Sequence, residues 1–236
     1  MVDLAIWEWR QKCLICKVYI DPMKFILKIL KVVLIMVLPF FMLIRGSVFF
    51  HEKYDLGAWV SLSSGAIATA CILFLYITFI YRKFTRRIGD ADNLQRRSLF
   101  VLLVVGAYCA YGLFFISSDN IKSEGLRKEI NELHPILRMG VSTFVLMDGD
   151  LIITDASRVP EDYNKMGLKT IKNSLHYKQK DGYAYAIDLR TTRRSEWRNQ
   201  AMTIYFKLLG FNTLRHTGTG DHLHVSLNCH YRKGAI

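Results

Sequence analysis

SLHYKQKDGYAYAIDLR, residues Ser174–Arg190, read together with GDHLHVSL, residues Gly220–Leu227, decides what kind of domain this chain ends in. Both stretches are short and strand-like, and between them they set histidines and a carboxylate among small side chains. Along AYAIDL a period of two sends Tyr185, Ile187 and Leu189 one way and Ala184, Ala186 and Asp188 the other. Asp188 therefore shares its face with alanines, which leave room for an ion and a substrate. Along HLHVSL the same period groups His222, His224 and Ser226, while Leu223, Val225 and Leu227 turn toward a core. Imidazole and carboxylate donors suit a borderline cation such as zinc, and a catalytic zinc site keeps three protein ligands with its fourth position open. His176, Asp188 and His224 are the candidate ligands. A histidine beside an apolar run is also an ordinary core residue, and spacing alone leaves that reading open.

Around these stretches the composition is that of a small α+β domain, a sheet with helices to one side. Ile121–Arg138 reads as an amphipathic helix tethering the domain. Thr143–Met147 and Leu151–Thr154 flank Asp148-Gly149-Asp150, a hairpin signal. Ser195–Leu209 reads as a helix with Ser195 as N-cap and Gly210 as stop, burying Trp197, Ala201, Ile204, Tyr205 and Leu208. Phe211–Leu214 and His222–Leu227 form a second expected hairpin across Thr217-Gly218-Thr219-Gly220. Cys229 is the only cysteine of this part, so no disulfide can form within it.

Upstream the character changes. The 236-residue chain is 51% hydrophobic with net charge +12, and nearly all of its long apolar runs precede residue 118. Residues 1–24 are mixed and read as a cytoplasmic or interfacial lead-in, whose Cys13-x-x-Cys16 pair is too isolated to specify metal or redox chemistry. Residues 25–118 read as a membrane anchor with helices near 25–44, 56–81 and 98–118. Leu56–Tyr81 runs 26 residues without a charge and Ser98–Ser118 runs 21, each enough to cross a bilayer core of ~30 Å. Gly65, Ala66, Ala68 and Ala70, then Gly106, Ala107 and Ala110, offer small faces for helix packing. The loop at 82–97 carries Arg82, Lys83, Arg86, Arg87, Arg96 and Arg97. Between two spans this charge sets orientation rather than binding nucleic acid, keeping the loop cytoplasmic. Residues 119–236 then emerge on the opposite side, which in a Gram-negative host is the periplasm. A bilayer partner is implied, with room for other membrane proteins or self-association.

Ser174, His176, Ala186 and Asp188, followed by the Asp221 to His224 element, resemble the signature of the zinc D,D- and L,D-peptidases that cleave bacterial cell-wall peptides, a group distantly related to the Hedgehog signalling domain. ITDASR, Ile153–Arg158, is similar to that family's segment whose arginine faces the substrate. The similarity spans roughly residues 133–227. His176 and Asp188 stand twelve positions apart, farther than in the family. The extra residues, YKQKDG, are polar and turn-forming, so they can bulge without moving a ligand. The resemblance implies Zn2+ on His176, Asp188 and His224, and Asp221 as the catalytic base with His222 as its partner or competitor. It assigns Arg158 to a substrate carboxylate or the developing oxyanion. The implied activity is hydrolysis of peptidoglycan stem peptides or cross-links, in wall remodelling or phage lysis. The alternatives are a non-catalytic wall- or protein-binding relative, or a structural membrane protein.

Overall fold

The computed structural model describes residues 22–161, 167, 173–218, 220–232 and 234–235, with only the backbone at 32 and 34–36. The Cys13/Cys16 pair and Thr219 lie outside the described residues. By contacts the chain divides into two units, residues 1–38 and 39–236.

Helix α1 runs from Pro22 to Tyr54 with Pro39 inside it, and contains the first expected span. Within the first unit its described side chains are exposed. Helix α2 covers Ala58–Thr85 and α3 covers Ala91–Phe114. Among the described residues these two helices are long and apolar enough to cross a membrane. Ile67, Leu75 and Phe79 of α2, and Phe100, Leu102 and Leu103 of α3, are exposed. The third expected span shifts: α3 begins before Ser98 and stops at Phe114, and Ser118–Asn120 forms a separate 3-10 turn. Asp90 caps α3 by accepting from the Asn93 amide at 3.1 Å, so the helix starts as soon as a capping side chain is available.

Small residues act where helices cross. A methyl added at Gly65 would lie 2.6 Å from the Leu43 carbonyl oxygen and 2.9 Å from the Ser47 nitrogen, so α2 approaches α1 at backbone distance. At Gly106 nothing lies within 4 Å, and that part of the expected small face is unused among the described residues.

The remainder folds onto α2 and α3 instead of hanging from a tethering helix. The expected helix at 121–138 is broken into α4, Leu126–Asn131, and α5, Pro135–Met147. Proline disfavours helical backbone in the residue before it, and here His134 instead donates its amide to the Ala184 carbonyl at 2.8 Å. Helix α5 continues to Met147 and absorbs the first arm of the hairpin expected around Gly149; the Asp148 amide caps it on the Phe144 carbonyl. Apart from Arg138, Ser142 and Thr143 the helix is apolar, and it is almost wholly buried through Val145, as expected of a helix covered on several sides. Tyr108 of α3 meets Thr143 at 2.6 Å, and a methyl at Gly112 would strike the Met139 sulfur.

On its other side α5 meets α6, Glu196–Leu209, and a four-stranded sheet. The strands are β1, Ile153–Asp155; β2, Ala186–Arg190; β3, Asn212–His216; and β4, His222–Ser226, in antiparallel order β1-β2-β4-β3. The fold is thus α+β, and the expected β3–β4 hairpin is present. In α6 the buried side chains are Asn199, Met202, Phe206 and Leu209. Trp197, Ile204 and Leu208, expected inside, are exposed. The helix carries two apolar stripes, and Asn199 tips the choice because its Nδ2 donates to the Thr191 carbonyl at 3.1 Å. One core of fully buried side chains runs from Leu43 and Ile44 through Ile136 and Leu137 to Ile187, Leu189 and Val225; each aliphatic chain so buried contributes about 1.5–3 kcal/mol.

Candidate metal centre and its cavity

Register builds the site. Strands β2 and β4 pair so that Asp188 stands directly opposite His224 and Arg190 opposite His222. Asp188 and His224 thereby face each other, with His224 Nδ1 2.8 Å from Asp188 Oδ1. His176 arrives from the loop before β2. Its amide donates to Ser174 Oγ at 3.3 Å, and the residue before it is tied down by the Tyr185 amide donating to the Leu175 carbonyl at 2.8 Å. Its Nε2 lies 3.3 Å from His224 Nδ1 and 3.4 Å from Asp188 Oδ1. All three residues are buried. The YKQKDG segment closes on itself through the Gln179 amide to the Tyr183 carbonyl, 2.9 Å, with Gly182 at φ +84°, a conformation glycine adopts freely.

Surrounding groups fix His176 and Asp188. His176 Nδ1 sits 2.5 Å from the Ala156 carbonyl, which requires Nδ1 to carry the proton and leaves the Nε2 lone pair toward Asp188. Strand β1 shifts register between Ile153 and Asp155, and the chain leaving it lays Arg158 beside the site. Arg158 pairs with Asp188 Oδ2 and with Asp155 Oδ1, each at 2.8 Å, leaving Asp188 Oδ1 to the histidines. Burial works to raise the Asp188 pKa, but His176 and His224 outweigh it and hold the carboxyl well below the ordinary range.

These contacts suit a metal ion. In a tetrahedral zinc site with bonds of ~2.0–2.1 Å the donor atoms stand ~3.3 Å apart, and two of the three donor separations here are 3.3 and 3.4 Å. The buried His176-Asp188-His224 cluster can hold an ion without rearrangement of the backbone.

The other expected residues gather on one cavity of about 360 Å³, whose lining includes Lys122, Arg158, Asp188, Arg190, Asp221 and His222. Asp221 accepts from Arg215 Nε at 2.7 Å, from Arg215 Nη2 at 2.9 Å and from Thr191 Oγ1 at 2.7 Å. Arg215 above all pulls its pKa down to about 2, against a smaller opposing effect of desolvation. His222 Nδ1 lies 2.5 Å from the Gly220 carbonyl, and its Nε2 lies 3.6 Å from Asp188 Oδ2. His216 stacks on His222 with ring centres 4.8 Å apart; burial, then His222 and His224, lower its pKa.

Arg215 and His216 went unremarked in the sequence, and Thr191 counted there only as part of the Leu189-Arg190-Thr191 stretch that fits the resemblance. The period of two along β3 and its pairing with β4 place His216 opposite His222; the expected hairpin ends its first arm at Leu214 and specifies no register. No family model, no curated protein and no solved structure matches the chain.

Proposed function

We propose that the chain is a membrane-anchored, zinc-dependent peptidase acting on the peptide part of the bacterial cell wall. The observation that carries this reading is the buried donor triangle of His176, Asp188 and His224, set at metal-site spacing, with Asp188 lining the adjoining cavity. Zinc held there lowers the pKa of bound water toward neutrality and polarises a scissile carbonyl. The chain's own groups do the rest. His222, whose Nδ1 proton is committed to the Gly220 carbonyl, offers Nε2 to the cavity and takes the proton of the attacking water. Asp221 is the base that the family resemblance favours, but a carboxylate held near pKa 2 by Arg215 binds protons poorly at neutral pH. Its negative charge instead steadies the imidazolium that His222 becomes. Arg158, engaged by two carboxylates, orients Asp188 rather than gripping substrate.

Helices α2 and α3 anchor this domain in a bilayer, their exposed apolar side chains meeting lipid. The basic loop between them stays cytoplasmic, and the domain stands in the periplasm or its equivalent.

The test uses the full-length protein in detergent, loaded with zinc and incubated with purified peptidoglycan while released peptides are followed by mass spectrometry. His222→Gln should abolish release with zinc content retained, Asp221→Asn should reduce it less, and His176→Ala should lose both metal and release. Zinc retention with no cleavage by the parent protein would favour a non-catalytic wall-binding role. If Asp221→Asn alone abolished release, the base would be Asp221.

A further inference from the structure

Charged groups on the cavity wall divide into those with fixed partners and those without. Arg158 is held by Asp155 and Asp188, and Asp221 by Arg215. Lys122, exposed, and Arg190, half-buried, line the same cavity, and among the described residues neither side chain has a hydrogen bond or an ion pair. Their backbones, by contrast, are fixed. The Lys122 amide donates to the Ile153 carbonyl at 3.0 Å and the Arg190 amide to the Ile152 carbonyl at 2.9 Å. Two positively charged side chains thus rise from anchored main chain on either side of β1, facing space rather than a counter-ion.

We propose that Lys122 and Arg190 form the pocket for a carboxylate of the substrate peptide, and so select which bond is presented to the site. This rests on the peptidase reading of the same cavity. Arginine's planar fork takes a carboxylate through two parallel hydrogen bonds, and lysine adds a point charge from the side. Spacing limits which carboxylate is taken. Arg190 follows Asp188 by two residues on the same face of β2, roughly 6.6 Å along the strand, and an extended peptide advances by a similar distance in two residues. The recognised group therefore lies within about two residues of the bond cut. It is the chain-terminal carboxylate or the side-chain carboxylate of a residue beside that bond. Because the acidic neighbours are already neutralised, the two cations give the pocket a net positive field without first breaking an internal pair.

The experiment uses full-length, zinc-loaded protein in detergent with three synthetic wall peptides: one ending in D-Ala-D-Ala with a free terminal carboxylate, its C-terminal amide, and the free acid with its glutamate changed to glutamine. Lys122→Gln and Arg190→Gln should each raise KM for the free acid by about tenfold, as loss of one charge-assisted contact implies. The parent's preference for acid over amide should shrink toward one in both variants. Preference lost on terminal amidation identifies the α-carboxylate, and preference lost with the glutamine peptide identifies the side chain. Parental KM and parental preference in both variants would overturn the proposal. If the parent cleaves none of the peptides while holding zinc, the catalytic reading fails separately. Calorimetric binding of the same peptides then decides this one: acid-selective binding that the variants lose sustains it, and equal binding of acid and amide overturns it.

Discussion

Zinc should stabilise this protein by an amount that the donor triangle makes calculable. His176 Nε2, His224 Nδ1 and Asp188 Oδ1 already stand 2.8–3.4 Å apart, with His176 held by the Ala156 carbonyl and Asp188 by Arg158, so loading requires little rearrangement. An ion that binds only the folded chain stabilises it by ~2.7 kcal/mol at a free concentration one hundred times its Kd. For a unit of the size of residues 39–236, each kcal/mol moves the unfolding midpoint by about 2–4 °C, predicting a rise of roughly 5–11 °C. The assay is thermal unfolding of chelator-treated, full-length protein in detergent, followed by intrinsic fluorescence across a zinc titration. Magnesium, which prefers oxygen ligands and octahedral geometry, should leave the midpoint where it was. Asp188→Asn should lower the midpoint even without zinc, because Arg158 loses one of its two carboxylates, and should abolish the zinc-induced rise. A midpoint unmoved by zinc, or moved equally in His176→Ala and His224→Ala, would refute the metal-centre argument.

Other outcomes follow from separate features. Gly65→Ala should cost about 1–3 kcal/mol in unfolding experiments, because its methyl meets backbone of α1; Gly106→Ala, with open space around it, should be silent. His134 is fully buried, and burial, with His51 nearby, holds its pKa well below 6.5. The unfolded chain therefore binds a proton that the folded chain refuses, so stability is intact above pH 6.5 and falls by up to ~1.4 kcal/mol per unit below it. In parallel urea titrations His134→Asn, which keeps a capping side chain, should show a shallower decline. Arg158→Gln should weaken zinc binding by about 10–100-fold in competition with a chelating dye, the usual effect of removing a group that orients a ligand. Asp221, with its pKa held near 2, contributes stability above its ordinary value of 3.8 that disappears as pH falls toward 2; Arg215→Gln should remove most of that contribution and flatten the decline between pH 3.8 and 2, read by acid titration of the fold.

The candidate metal centre was legible because its chemistry is carried by residue type: few other patterns put imidazoles and a carboxylate beside alanines on short strands. The pairing of β2 with β4 was not legible, although the register of Asp188 against His224 is what closes the triangle. The roles of Asp221 and Arg158 depend on partners far away in sequence. Arg215 and Thr191 are unremarkable there, yet they decide how well Asp221 can accept a proton. Helix α6 was recognised with the wrong face inward, since two apolar stripes compete and a buried asparagine with a backbone acceptor looks like a surface residue in a hydropathy pattern. The break before α5 was readable from Pro135, but the apolar run across it concealed the stop.

Helix α5 lies directly on α2 and α3, and only residues 115–121 separate the end of α3 from Lys122 on the cavity wall. Eight steps of fully extended chain reach at most roughly 29 Å, and docking of α5 removes the slack that a flexible stalk would provide. The peptidase proposed above would therefore be unable to sweep outward in search of its target; it would work at a fixed height close to the lipid surface, trimming whatever peptide is brought down to it.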